Sequence, residues 1–421
     1  MADRENVIVV GGGAAGTSIA RQLSTMLNHT KHNLILVSSR DYLIYYPSLI
    51  RTLVERDPPI RSILPPDFTN VTPLYSARNG ESTNATSPTI DGGEDNKAPR
   101  PVYGDEEYLG RGLIPLNHLF DGGHGKLIVG KVASIVDEGA HGGHITLEDG
   151  TELTWSVLVL APGSTWEGPF ALPEGPKEDC IDHIRKWRNK FKRARNIVIG
   201  GAGAIGIELA TEIKDRYPEK DVTLVHGQDL PMNDFYPQKW RKLLHDRIRK
   251  LQIKTIYNDG IDELKVEYNA VTTRNGETLL TDLLVPARGG KMNTDFIKTL
   301  GENVLWSNGC VRINPVFQMI YNKRIYAAGD VIEWEEQKQY VKALTHADMI
   351  ARNVIDTIKR EDATHIYRGS KETISLTLGE GKGATYFSHL WGLQFGDSFT
   401  TSYKARYADV DYARRQLGVE D

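Results

Sequence analysis

Near its start the chain runs through four consecutive apolar residues, Val7-Ile8-Val9-Val10. An unbroken apolar run of this kind marks a strand buried on both faces of a parallel sheet, since a half-buried strand would alternate. The period then changes: Ala15, Ile19, Leu23 and Leu27 recur every fourth residue and lay an apolar stripe along a helix. Leu34-Ile35-Leu36-Val37 returns to the continuous form and supplies a second parallel strand. The same succession recurs in mid-chain. Asn196-Ile197-Val198-Ile199 reads as strand, Ile207, Leu209, Ala210 and Ile213 lie along a helix, and Val222-Thr223-Leu224-Val225 is the next strand. Between the two units, Lys126 to Val159 alternates short strands with turns such as Leu147-Glu148-Asp149-Gly150-Thr151, then runs on to Ala161-Pro162-Gly163. That pattern suits a small antiparallel meander returning to the first sheet. Arg324-Ile325-Tyr326-Ala327-Ala328-Gly329-Asp330 reads as one more buried strand, ending in Gly-Asp. The fold class predicted is α/β, with two Rossmann-like dinucleotide-binding domains, a meander and a small C-terminal region.

Both helices are entered through a glycine turn, Gly11-Gly12-Gly13-Ala14-Ala15-Gly16 and Gly201-Ala202-Gly203-Ala204-Ile205-Gly206. Each spacing is GxGxxG, and each residue type has a reason: the first glycine permits the sharp turn, the second lets the backbone approach a pyrophosphate, and the third lets helix and strand pack closely. The phosphates are then held at the positive end of the helix. Asp330, at a strand's carboxyl end, can accept hydrogen bonds from the hydroxyls of a ribityl chain; taken alone, a helix N-cap is the commoner use of such an aspartate.

Composition narrows the class. At 421 residues the chain exceeds one ordinary core, and a net charge of −4 gives no electrostatic reason to expect a nucleic-acid partner. Cys180 and Cys310 form no CxxC, so neither a zinc framework nor a local redox dithiol is written in the sequence, and no metal site is expected. No apolar run approaches the ~20 residues of a membrane span, and the first residues carry no export or myristoylation signal, so a cytoplasmic address is the expectation. The sequons at Asn28, Asn70 and Asn84 are then chance matches. Tyr75 to Glu107 is rich in Ser, Asn, Gly, Pro and acids, a composition that cannot stabilise a packed core; it reads as a loop inserted in the first domain, inert or a lid.

With both glycine motifs, the meander and the Ala-Gly-Asp strand in order, the chain resembles the FAD-dependent pyridine-nucleotide oxidoreductases. Within them it looks most like the AMID-like branch related to apoptosis-inducing factor, which includes the ferroptosis-suppressor NAD(P)H:quinone oxidoreductases. The stretch from Glu212-Ile213-Lys214 to Leu224-Val225-His226, and that from Lys338 to Thr345-His346-Ala347, carry the likeness. The resemblance implies a first FAD-binding segment over 1–165, an NAD(P)-binding domain over 166–290, a second FAD-binding segment over 291–366 and a C-terminal α+β region over 367–421. It implies FAD on Gly11, Gly12, Gly13, Ala14, Ala15 and Gly16, with Val132, Ala161, Gly163, Gly329 and Asp330 completing that site. NADH or NADPH would lie on Gly201, Gly203, Ala204, Ile205 and Gly206. Glu208 would lie near the nicotinamide, its alternative being an acid stabilising the first turn of a helix. Lys338 would lie near flavin and quinone, where an unaligned lysine would be a solvated surface residue. The chain departs from the pattern at Ser38-Ser39, where an acid should grip the adenosine ribose, so FAD is expected to be held either more weakly or through Arg40 as a substitute. At the matching place in the second fold stands His226, which does not repel a 2′-phosphate, so NADPH is expected as well as NADH.

What the resemblance implies chemically is hydride transfer to FAD and reduction of a quinone or other small-molecule acceptor, with Lys338 and Glu208 as the candidate catalytic residues. The alternatives are a tailoring oxidoreductase of a specialised metabolite and an apoptosis-inducing-factor-like redox signalling protein. Toward the end, Tyr386-Phe387, Leu390-Trp391, Leu393, Phe395 and Phe399 precede Lys404, Arg406, Arg414 and Arg415. They read first as a buried domain interface and second as a peripheral edge for a membrane or mitochondrial surface.

Overall fold

A computed structural model of the chain describes residues 4–54, 105–389, 392–407 and 410–419. The inserted loop therefore lies outside the described residues except for its last three, which open the helix Asp105–Gly110. Leu390 and Trp391 lie outside them too.

The first sheet has six strands in the order Gln318–Met319, Asn322–Ala327, Val157–Leu160, Glu5–Val10, His32–Ser38 and Lys126–Val129. All are parallel except Gln318–Met319, which hairpins onto its neighbour. Val7, Ile8 and Val9 are fully buried, as a strand covered on both faces requires. One cover is the helix Ala14–Met26, whose Ile19 and Leu23 share a core with Ala347, Ile350, Ala351 and Val354 of the helix Tyr340–Ile358. The meander is shorter than its sequence signal. Val132–Asp137, Gly143–Leu147 and Glu152–Trp155 form an antiparallel sheet, whereas Lys126–Val129 runs parallel to His32–Ser38 as the first sheet's edge.

The second sheet, Lys254–Tyr257, Asp221–His226, Asn196–Gly200 and Leu283–Pro286, is wholly parallel. Its core gathers Trp187 and Phe191 from the helix Lys177–Arg193, Ile207 and Leu209 from Ala204–Arg216, and Trp240 and Leu244 from Gln238–Lys250. The chain enters and leaves this unit side by side, Ser164–Thr165 pairing antiparallel with Lys291–Met292. A third sheet, Thr373–Thr377, Gly383–Phe387 and Leu393–Phe395, is antiparallel and precedes the helix Asp397–Tyr407. Tyr386 and Phe387 are buried, Tyr386 lying 5.8 Å from Trp240 and 6.2 Å from Tyr236 between ring centroids. The interface reading thus describes Tyr386, whereas the ring partners of Phe387 lie within the C-terminal region itself and Leu393 and Phe399 are partly exposed. Among the described residues no helix is long and apolar enough to cross a membrane, and no group of side chains could hold a metal ion.

Candidate functional site

The carboxyl ends of both parallel sheets open onto one continuous cleft of about 3000 Å³. Gly11 holds φ +116°, and a Cβ there would fall 2.1 Å from the carbonyl oxygen of Ala161 on the neighbouring strand. A Cβ on Gly16 would fall 1.9 Å from Gly11 O, and one on Gly206 1.9 Å from Gly201 O, so these two glycines act by close packing and do not line the cleft. Gly13 and Gly203 are the opposite case: a Cβ on either would meet nothing within 4 Å, leaving bare backbone facing open space. Both are helix N-caps, and neither helix has a side-chain cap or an acid in its first turn. Two positive helix ends are thus left for anionic groups, and the cradle fits the pyrophosphates of two dinucleotides.

Around the first turn, Ala14, Ala15, Val132, Ala161, Gly163, Gly329 and Asp330 line the cleft. Asp330 Oδ2 accepts a hydrogen bond from Ser164 Oγ at 2.9 Å. It caps no helix: it sits in the single 3-10 turn Gly329–Val331, and the next α-helix begins only at Tyr340. Ser38 is buried beneath Gly12, whose added Cβ would fall 2.2 Å from Ser38 Oγ. Arg40 lines the cleft, but its guanidinium is engaged by the carbonyls of Leu172 and Pro173, Nη2 donating to each at 3.0 Å. That engagement takes up donors which a substitute hold on the ribose would need.

Around the second turn, Gly201, Ala204, Ile205, Glu208 and His226 line the cleft. Ala202 N–H donates to His226 Nδ1 at 3.2 Å, so the ring's proton is on Nε2, which donates to Met232 O at 2.9 Å. Burial pushes the His226 pKa down, partly opposed by the bond to Met232. The ring is a neutral brace between the glycine turn and the following loop. Glu208 is in the second turn of its helix, which rules out the first-turn role. Its Oε1 accepts from Thr377 N at 2.8 Å and Thr377 Oγ1 at 2.9 Å, and it pairs with Lys404. It ties the second nucleotide helix to the C-terminal region while facing the cleft.

Lys338 also lines the cleft, its ammonium bonded to Ile332 O. The segment bearing it is bound to a buried cluster that was not singled out from the sequence. Lys342 pairs with Glu372, whose other oxygen accepts from Tyr236 Oη at 2.7 Å and from Gln339 Nε2 at 2.7 Å. Tyr46, Pro47 and Trp166 on the cleft were likewise missed. The aromatic run Tyr42-Leu43-Ile44-Tyr45-Tyr46-Pro47, soon after the second strand, was the available signal.

Two nucleotide-type sheets facing one cleft, each with a phosphate-shaped turn, define a two-dinucleotide oxidoreductase. The model for the pyridine nucleotide-disulphide oxidoreductase family matches residues 5–351, and the chain belongs to that family, which works with FAD and a nicotinamide dinucleotide. The chain is similar to "FAD-dependent oxidoreductase FVFD30" of Flammulina velutipes, 42% identical over 297 residues, covering 70% of this chain and 92% of the relative. Apoptosis-inducing factor homolog B of Dictyostelium discoideum is 25% identical over 99% of this chain and 97% of its own length. Human ferroptosis suppressor protein 1 is 28% identical over 58% of this chain and 67% of its own length. Among solved structures, the sulfide:quinone oxidoreductase of Aquifex aeolicus superposes with a TM-score of 0.68 at 15% identity, covering 99% of this chain and 92% of that one. That likeness is one of fold.

Proposed function

We propose that the protein takes hydride from NADH or NADPH to FAD and reduces a quinone-type acceptor. The observation that carries the acceptor is an aromatic wall on the same cleft, formed by Phe387, Phe395, Phe399 and Tyr403. Phe395 and Phe399 stack at 4.2 Å between centroids, Phe399 and Tyr403 at 5.6 Å, and Phe387 meets Phe395, Phe399 and Tyr403 edge-on. A planar acceptor ring finds stacking and edge partners there. The likeness to apoptosis-inducing factor homologs and ferroptosis suppressor protein 1 supports the same reading. A dithiol relay has less support: Cys180 and Cys310 are free and buried, and burial pushes both thiols up, away from the reactive thiolate.

Bound FAD supplies the two-electron chemistry. The chain's part is to hold and orient: Gly13 and Gly203 bring bare backbone to the two pyrophosphates, and Asp330 takes the ribityl hydroxyls. Glu208, fixed by Thr377 and Lys404, stands on the nicotinamide side. Lys338 places a cation where an acceptor oxygen gains charge. His226 carries no charge to set against a 2′-phosphate. Asp259, whose N–H donates to His226 O at 3.1 Å, has its Oδ1 taken up by the amides of Gly260 and Asn275 at 2.7 and 3.0 Å, and Asp262 is paired with Arg274 through bonds of 3.0 and 2.5 Å, so NADPH is accepted as well as NADH. The test is to take the absorbance spectrum of the purified protein, add NADPH without oxygen, then add a soluble quinone. Bleaching by NADPH and recovery with quinone is the expected result. A protein that stays colourless after addition of FAD, or bleaches and does not recover with quinone, refutes the proposal.

A further inference from the structure

Ala328 makes the last ladder bond of its strand, its N–H donating to Leu160 O at 3.0 Å. The next amide leaves the sheet. Gly329 turns to φ +73°, and its N–H donates to Nδ1 of His346 at 3.3 Å. A ring nitrogen that accepts an N–H carries no proton, so the proton lies on Nε2, where it is donated to Glu336 Oε1 at 2.9 Å. The hydrogen-bond partners thus select one tautomer.

The ring has little freedom to leave this position. His346 is 4% exposed, and its ring lies 5.1 Å from that of Phe317 and 4.9 Å, edge-on, from that of Tyr367. Glu336 is held in turn, its Oε2 accepting from Tyr367 Oη at 2.7 Å and from Ser370 N and Oγ at 3.2 and 3.0 Å. Burial pushes the Glu336 pKa up, but the bonds from His346, Tyr367 and Ser370 together outweigh it and hold the carboxyl down at about 2. On its other side the turn abuts the first nucleotide helix: a Cβ on Gly329 would lie 3.3 Å from that of Ala15. Asp330 follows immediately, bonded to Ser164.

We propose that His346 is a positioning residue for FAD: by accepting the Gly329 N–H it fixes the turn that carries Asp330, and Glu336 fixes the tautomer that makes this possible. The inference rests on the reading of Asp330 as the ribityl ligand. Side chains with one correctly placed acceptor separate this role from mere packing. In His346→Asn the amide oxygen can stand where Nδ1 stands, in His346→Gln the amide reaches toward the place of Nε2, and His346→Leu offers neither.

The experiment strips the protein of flavin, titrates FAD back by fluorescence, and follows hydrogen exchange in the peptide containing Gly329 at saturating FAD. The FAD dissociation constant should stay within about threefold in His346→Asn and rise by about tenfold or more in His346→Gln and His346→Leu, with faster exchange at Gly329. Equal affinities for Asn and Gln, or wild-type affinity and exchange in Leu, overturn the proposal; if Leu does not fold, the Asn–Gln comparison still decides. Asp330→Asn is the control. Unchanged FAD affinity there refutes the Asp330 reading itself, whereas weakened affinity there with an unaffected His346→Gln refutes only the role of His346.

Discussion

Replacing Lys342 by Met should destabilise the junction of the nucleotide domains and the C-terminal region more than its single ion pair suggests. Lys342 is 5% exposed and Glu372 6%, and the carboxylate also holds Tyr236 Oη and Gln339 Nε2. Removing one partner of a buried pair costs about 3–5 kcal/mol because the other charge is left behind; the two neutral donors that remain place this case near the low end, at about 3 kcal/mol. Removing Glu372 as well by substituting Leu eliminates the stranded charge but orphans Tyr236 Oη, a buried donor whose isolation costs about 1–3 kcal/mol. Tyr236→Phe removes that loss too, and Gln339 keeps its second bond, to Thr373 O at 3.0 Å. The triple variant Lys342→Met/Glu372→Leu/Tyr236→Phe should therefore lie within about 1 kcal/mol of the wild type.

The assay is thermal unfolding of the FAD-loaded protein, followed by flavin fluorescence. At about 2 °C per kcal/mol for a domain of this size, Lys342→Met should melt about 6 °C lower and the triple variant about 2 °C lower. The order of the variants, not the absolute values, is decisive in a chain of several domains. A triple variant as unstable as the single one, or a Lys342→Met that melts with the wild type, would refute the argument that an uncompensated carboxylate is the cost.

Gly16→Ala and Gly206→Ala each drive a methyl to 1.9 Å from a backbone oxygen that cannot move without its strand. The first should abolish FAD retention, and the second should leave flavin bound but raise the KM for the nicotinamide dinucleotide by about tenfold or more, checked by absorbance and steady-state kinetics. Glu336 has a folded pKa of about 2 against an ordinary 4.5, so its contribution is complete above pH 4.5 and is lost as pH falls through 2. On the order of 3 kcal/mol is at stake, and Glu336→Gln should flatten the acid limb of the melting-temperature profile. Lys338→Ala should slow oxidation of the reduced flavin by quinone by about tenfold or more and leave its reduction by NADPH unchanged, as read by stopped-flow absorbance of the two half-reactions.

How much of this was legible in the sequence depends on the distance over which each feature is determined. The two glycine turns were legible because strand, turn and helix carry their own periodicity within a few tens of residues, and each glycine has a local steric reason. Lys126–Val129 was misassigned to the meander because four residues between glycines show no period that separates a parallel edge from a hairpin. The partners of Arg40, Glu208 and Lys342 lie 132, 169 and 30 positions away, and a lone charged residue reads from sequence as solvated surface.

One such signal was present. Lys342, His346 and Ile350 fall at fourth-residue spacing along one helix and are all buried, so a lysine and a histidine stand in phase with an apolar stripe. A helix can bury such residues only if another segment brings hydrogen-bonding partners to meet them. Here the partners are carboxylates, Glu372 for the lysine and Glu336 for the histidine, and each draws further donors from 367–370 or from Tyr236 and Gln339. The phase of polar residues against the stripe thus indicates where distant segments must converge. It points to the strand end and loop that carry Asp330 and Lys338, because Gly329 donates to His346 there and Glu336 lies in that loop.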